Sequence, residues 1–222
     1  MAESYYGAEL HRVRRALNIL LEYNFQHMKK HREDHFESFK DLQTPRATVL
    51  TCSDSRVQMD AVDPFPENDL FVVRNIGNQL ATAEGSVEYG VRHLHTPLLM
   101  ILGHVRCGAI GAAHEGHSDE SEAIRKELET LHVDKSHSVL DNVIDNVHRQ
   151  VVMAVEKFDA ELRRKELLVA GAVYDFANDF HCGYGKLIFT DLNNIRIVQN
   201  GSLEQDLSDE RLMNLIEKIE KA

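Results

Sequence analysis

The sequence predicts an α/β fold with a mostly parallel central β-sheet flanked by helices and preceded by an N-terminal helical arm. Short, continuous apolar runs alternate with amphipathic helical segments, a pattern typical of parallel strands that are covered on both faces. No linker rich in Pro, Gly or Ser and no internal repeat divides the chain. We therefore expect a single domain over residues 1–222, with the arm at 1–40, the sheet core at 47–200 and a C-terminal helix at 208–221.

The N-terminal arm is predicted from its helical periodicity. Leu10, Val13 and Leu17 recur three or four residues apart, which indicates an amphipathic helix over about the first 25 residues. A second helical stretch is expected at 28–39.

The strands and the helices between them follow in order along the chain. Apolar runs of β-forming residues predict four buried strands, and two later segments resemble a hairpin. Ser208 is of a type that caps helix N-termini, so it marks the start of the C-terminal helix. The predicted strands are 47–51, 70–73, 98–102 and 167–174, the hairpin pairs 186–190 with 195–199, and the helices cover 84–94, 119–132 and 138–158.

Composition and charge exclude several classes of protein. The 222 residues include 25 Lys and Arg against 36 Asp and Glu, which gives a formal net charge of −11. This balance argues against a nucleic-acid binder, which needs a clustered basic face, and against docking on anionic lipid. The 3 cysteines are too few for a disulfide-stapled secreted fold, and no run resembles a signal peptide or a membrane span. We therefore expect a soluble cytoplasmic protein.

Potential metal ligands follow two of the predicted strands. Cys52 and Asp54 come directly after the first strand, and His104 and Cys107 follow the third. Because the carboxyl ends of parallel strands meet at one edge of a sheet, these pairs can converge there. Two thiolates and an imidazole suit Zn²⁺, with Asp54 either as a fourth ligand or as a neighbour that leaves that position to water. Arg56 can hold the Asp54 carboxylate in a bidentate pair and so compete with the metal.

These residues lie within longer motifs that resemble a known family. The chain is similar to the β-class carbonic anhydrases in four motifs: Cys-Ser-Asp-Ser-Arg-Val from residue 52, Phe-Val-Val-Arg-Asn-Ile-Gly-Asn at 71–78, Glu-Gly-Ser-Val-Glu-Tyr at 84–89 and Gly-His-Val-Arg-Cys-Gly at 103–108. The resemblance is close over about residues 36–112 and looser over the strand at 167–175.

The resemblance implies an enzyme that reversibly hydrates CO₂ to bicarbonate and a proton. By similarity, Cys52, His104 and Cys107 would bind zinc, and zinc-bound hydroxide would attack CO₂, since zinc can lower the pKa of bound water to about 7. Asp54 would ligate zinc in the resting state of some members. In the active state Arg56 would hold Asp54 off the metal, and Asp54 would accept the proton of the hydroxide in a hydrogen bond.

Further residues match the family's substrate pocket and assembly. Phe71, Ile76 and Tyr89 fall where the family lines an apolar pocket, and Gln43 matches a glutamine that hydrogen-bonds the substrate or the bicarbonate oxygen. Ordinary core packing is the competing interpretation for the first three, and a plain loop residue is the competing one for Gln43. Because such pockets usually lie at a dimer interface, we expect a homodimer or a tetramer of dimers.

Arg106 departs from the family pattern, in which a small or polar residue is more common between the histidine and the cysteine. A cation at this position would attract bicarbonate or depress the pKa of the bound water, or its side chain would point into solvent.

Other functions stay open at this point. A hydrolase of carbonyl sulfide or carbon disulfide would use the same scaffold and site, and a non-catalytic zinc-binding protein is a second alternative. The presence of both Asp54 and Arg56 favours catalysis over a purely structural zinc. A thiol redox protein is disfavoured because the sequence contains no Cys-x-x-Cys.

Overall fold

A computed structural model of the chain describes residues 2–193, 195–198 and 209–221. The chain forms two compact units, Met1–Gln43 and Thr44–Ala222. The two units are described separately below.

The N-terminal unit is helical, as the periodicity predicts. Helix α1 spans Ala2–Lys30, and a short helix α2 spans Glu33–Glu37. The second predicted stretch, 28–39, is wrong at its start, because its first residues belong to α1. The helix restarts only after Arg32, whose backbone is extended, and the acidic side chains of the first turn of α2 favour this new N-terminus.

The second unit contains a six-stranded sheet in the order β2-β1-β3-β4-β5-β6. The first four strands in this order run parallel, and β5 and β6 are antiparallel to their neighbours. The predicted mostly parallel sheet is therefore confirmed. The hairpin is present, but Asp191 and Leu192 pair with Arg196 and Ile195, whereas the prediction paired 186–190 with 195–199, and residue 199 lies outside the described residues. The strands are β1 Ala47–Cys52, β2 Leu70–Asn75, β3 Leu98–His104, β4 Leu168–Asp175, β5 Lys186–Leu192 and β6 Ile195–Arg196.

Helices connect and cover the strands, which confirms the α/β class. The helix predicted at 84–94 is α-helical only at first and continues as a π-helical turn, Tyr89–His93. Ser208, the expected cap of the C-terminal helix, lies outside the described residues. No helix in the described ranges has both the length and the apolar character needed to cross a membrane. The helices are α3 Glu84–Glu88, α4 Gly108–Glu115, α5 Glu122–Glu129, α6 Val139–Lys157, α7 Asp159–Arg163 and α8 Asp209–Lys221.

Helix α6 is the main support of the sheet behind the site. A capping box between Ser138 and Asp141 fixes its N-terminus. Its valines pack on β3 and β4, where a Cβ at Gly103 would lie 2.6 Å from Val147 Cγ2 and one at Gly171 would lie 2.9 Å from Val147 Cγ1. The two glycines therefore allow α6 to approach the strands more closely than any other residue would.

Candidate metal centre

Three potential ligands converge at the carboxyl edge of the sheet. Cys52 ends β1, His104 ends the adjacent strand β3, and Cys107 caps the N-terminus of α4. Their ligand atoms all lie within 4.8 Å of one another, and all three side chains are buried. The convergence predicted from two strand ends is therefore present.

The histidine is held in the orientation that a metal ligand requires. His104 Nδ1 donates to the carbonyl oxygen of Val105 at 2.9 Å, which fixes the tautomer with an unprotonated Nε2. That Nε2 is fully buried and has no hydrogen-bond partner in the described part of the chain. A buried nitrogen lone pair beside two buried thiols is costly unless a ligand satisfies it, so the set fits Zn²⁺.

The pKa values of the two thiols are shifted in opposite directions. Hydrogen bonding from Cys107 lowers the pKa of Cys52, with a smaller contribution from the nearby imidazole of His104. The same hydrogen bond and burial raise the pKa of Cys107. One thiolate is thus stabilised before any metal binds, and metal binding must displace the remaining thiol proton.

Asp54 lies beside this cluster and is held by Arg56. The guanidinium donates from Nε to Asp54 Oδ1 at 2.9 Å and from Nη2 to Oδ2 at 2.7 Å, a bidentate pair. This pairing holds the pKa of Asp54 well below its ordinary value. Asp54 Oδ2 also lies 3.8 Å from His104 Nε2. The Asp54 carboxylate therefore lies next to the candidate metal centre while it is hydrogen-bonded to Arg56.

Arg74 braces the loop that carries Asp54 and Arg56. Its guanidinium donates to the carbonyl oxygens of Val57 at 2.5 Å and Cys52 at 3.4 Å. These two carbonyls flank the loop, so one side chain on β2 fixes both of its ends.

Two of the predicted pocket residues, Phe71 and Tyr89, contact each other. The rings of Phe71 and Tyr89 lie 5.8 Å apart, and Tyr89 is placed by the π-helical turn. Ile76 and Tyr89 are 37% and 43% exposed in the single chain. Gln43 belongs to the N-terminal unit, so its predicted contact with substrate stays a prediction.

A sequence model of the carbonic anhydrase family matches residues 47–180, which is more than half of the chain. The matched region includes all three converging ligands. The chain belongs to the β-carbonic anhydrase family.

Individual β-carbonic anhydrases resemble the chain over parts of their length. Carbonic anhydrase 2 of Mycobacterium tuberculosis is 41% identical over 81 residues, 36% of this chain and 39% of that protein. β-Carbonic anhydrase 5 of Arabidopsis thaliana, a chloroplastic protein, is 26% identical over 168 residues, 65% of this chain and 56% of that one. The chain therefore spans less than two thirds of the length of these relatives.

Solved β-carbonic anhydrases share the fold. One of two tetrameric enzymes from the ascomycete Sordaria macrospora superposes with a TM-score of 0.60 at 20% identity, covering 81% of this chain and 95% of that one. At this identity the likeness supports the fold alone, and it agrees with the mixed sheet described above.

Two contacts of this β-carbonic anhydrase site were not predicted from its motifs. The ring of Phe176 lies 4.8 Å from the Arg56 guanidinium carbon and 6.1 Å from the His104 ring, so it packs against both. Arg106 is exposed but does not simply point into solvent, because it pairs with Asp179. The position of Phe176 directly after a predicted strand was the available signal, since strand ends at this edge face the site.

Proposed function

We propose that the chain catalyses the reversible hydration of CO₂ to bicarbonate and a proton with a zinc ion as cofactor. The observation that carries this proposal is the buried Cys52–His104–Cys107 cluster with Asp54 held beside it by Arg56. Membership of the β-carbonic anhydrase family supports the same conclusion.

The cluster residues would hold the metal, and the neighbouring residues would orient the reactants. A bound zinc ion would lower the pKa of water and so supply a nucleophile at neutral pH. Asp54 has a depressed pKa, so it stays an acceptor-only carboxylate and can take a hydrogen bond from the attacking water. Arg56 keeps that carboxylate in one orientation, which favours a single direction of attack on carbon.

The substrate pocket and the assembly are part of the proposal. CO₂ is apolar, and Phe71, Ile76 and Tyr89 offer apolar surface for it, with Gln43 as the donor to a substrate or bicarbonate oxygen. Partial exposure of Ile76 and Tyr89 in the single chain is consistent with a pocket completed by a second copy. We therefore propose a cytoplasmic homodimer or tetramer of dimers in which residues 1–222 act as one functional domain.

A combined metal and turnover measurement tests the function. We expect one zinc per chain by elemental analysis and rapid CO₂ hydration by stopped-flow. Asp54→Asn should keep its zinc and lose at least about 10²-fold in hydration rate, because the orienting acceptor is lost. Asp60→Asn, the same change at an exposed carboxylate, serves as the matched control.

The remaining outcomes separate the alternative functions. A wild-type hydration rate in Asp54→Asn would contradict the role of Asp54, and a zinc-free protein would contradict the metal centre. Carbonyl sulfide and carbon disulfide are assayed beside CO₂, and faster turnover of either would reassign the substrate. Full zinc loading without turnover of any of the three would indicate a non-catalytic zinc protein.

A further inference from the structure

We propose that Arg106 and Asp179 form a clamp that fixes Arg56 on Asp54 and thereby keeps Asp54 from binding the metal. We name this ion pair the 106–179 clamp. The proposal rests on the proposed function in one respect, since it takes the three-ligand cluster as a metal centre. It assigns positioning roles to two residues outside the catalytic group.

The clamp is a bidentate ion pair between two loops. Arg106 donates from Nε to Asp179 Oδ2 at 3.1 Å and from Nη2 to Asp179 Oδ1 at 2.8 Å. Arg106 lies between the ligands His104 and Cys107, whereas Asp179 follows β4. Two parallel hydrogen bonds fix the relative orientation of the guanidinium and the carboxylate, which a single contact would not do.

The backbone of Arg106 connects this ion pair to the site. Its carbonyl oxygen accepts a hydrogen bond from Arg56 Nη2 at 3.1 Å, the same nitrogen that donates to Asp54 Oδ2. Arg106 has a φ of 54°, in the left-handed region that residues other than glycine seldom adopt. The side-chain pair with Asp179 therefore helps to hold a backbone conformation that offers its carbonyl to Arg56.

Asp179 is itself fixed from the core. The carboxylate of Asp175, which is fully buried at the end of β4, accepts hydrogen bonds from the backbone N–H groups of Ala177, Asp179 and Phe180. The loop that presents Asp179 is thus tied to the sheet. Orientation is passed from β4 through Asp179 to Arg106, and from the Arg106 carbonyl to Arg56.

Release of Arg56 would change what Asp54 can reach. Asp54 Oδ2 already lies 3.8 Å from His104 Nε2, the ligand atom turned to the metal centre. Carboxylate oxygen is an ordinary zinc ligand, so an Asp54 that leaves Arg56 can compete for the same ion. The clamp therefore favours the arrangement in which an external ligand, rather than Asp54, completes the metal centre.

Azide binding to the cobalt-substituted protein tests the clamp without using catalysis. Azide needs the metal position that Asp54 would otherwise take, and its binding is followed by the visible absorption of Co²⁺. Arg106→Gly suits the left-handed backbone and removes the whole arginine side chain, including the guanidinium that binds Asp179. Asp179→Ala removes the partner carboxylate. Because the pair is partly exposed, we expect each variant to weaken azide binding by about threefold to fivefold.

A double-variant cycle shows whether the effect passes through Asp54. In an Asp54→Asn background the two clamp variants should leave azide affinity unchanged, because the competing carboxylate is gone. Asp159→Ala, which removes the partner of Arg163 in an exposed ion pair on α7, is the matched control and should also leave azide affinity unchanged.

The outcomes that overturn the clamp are specific. Unchanged azide affinity in either clamp variant, or a weakening that persists in the Asp54→Asn background, rejects it. If the clamp variants bind azide as tightly as the wild type, and the wild type hydrates CO₂ at a normal rate, the clamp alone is rejected. If the clamp variants bind azide more weakly as expected, but the wild type does not hydrate CO₂, the proposed function alone is rejected.

Discussion

At the scale of single residues, Gly103 and His104 join the fold to the metal centre. His104 is fully buried and uses one ring nitrogen on its neighbour's carbonyl, which leaves the other for the metal. Gly103, directly before it, lets Val147 of α6 approach the strand. Any change that moves α6 away from β3 therefore acts next to a ligand.

Gly103→Ala should destabilise the protein by about 1–3 kcal/mol, because the new methyl group would overlap Val147 and overpack the core. Urea unfolding measures the loss, and Val147→Ala in the same chain should restore part of it. Gly111→Ala is the matched control, since nothing lies within 4 Å of its added Cβ, and it should be neutral or stabilising by up to about 1 kcal/mol. Equal stability of the two single variants would contradict the close approach of α6.

At the scale of elements, buried strands were predictable and short irregular segments were not. All four apolar runs form strands, and β1, β3 and β4 are buried because they are covered on both faces. The prediction of a buried strand is wrong for β2, which lies at the edge of the sheet and is mostly half-buried. The helix predicted at 84–94 does not reveal that Tyr89–His93 is π-helical, and the five-residue helix α7 carries no distinct periodicity that would predict it.

The candidate site likewise contains residues that the sequence predicts and contacts that it does not. Cys52, His104 and Cys107 were predictable because strand ends and motif spacing place them. The contacts of Phe176 and Asp179 depend on how the loop after β4 folds over the site, which is a tertiary effect. Local sequence does not encode such contacts.

Lys157→Met tests an ion-pair network between α6 and α3. Lys157 donates to Glu84 at 2.6 Å and to Glu88 at 2.7 Å, and it lowers the pKa of Glu88 with a further contribution from Arg92. A carboxyl whose folded pKa lies below its unfolded value stabilises the fold above that unfolded value, about 4.3 for Glu, and loses this effect as the pH falls. The variant should therefore have a lower Tm at pH 7, and its difference from wild type should shrink toward pH 3.

Thermal unfolding across this pH range measures the difference. Lys126→Met, which removes a more exposed ion pair with Glu122, is the matched control and should change Tm little at any pH. If the Tm of Lys157→Met lies below that of the wild type by the same amount at pH 7 and at pH 3, the electrostatic explanation is contradicted.

At the scale of the whole molecule, the candidate metal centre brings together residues from separate parts of the fold. Its ligands come from β1, β3 and the start of α4. In the sheet, β1 lies directly beside β3. Strand β2 comes between β1 and β3 in sequence, but in the sheet it lies on the opposite side of β1 from β3. A bound ion therefore acts as a cross-link between non-consecutive elements.

Removal of zinc with a chelator should lower Tm by about 5–10 °C, since an ion that binds only the folded state adds about 2.7 kcal/mol at 100 times its Kd. Calorimetry with and without added zinc measures the shift. Cys107→Ser should abolish the response to zinc, whereas Cys182→Ser, at an exposed thiol outside the cluster, should retain it. An equal zinc response in both variants would contradict the assignment of the ligands.

The order of the strands also has a kinetic consequence. Cys52 and His104 meet only after the chain has passed through β2 and returned to pair β3 with β1, so the site is assembled from contacts between residues far apart in sequence. We expect such contacts to form late in folding, because closing a long loop lowers the conformational entropy of the chain before the contacts it permits can stabilise it. Zinc should therefore leave the refolding rate nearly unchanged and act mainly by slowing unfolding. The ion would extend the lifetime of the finished molecule rather than hasten its formation.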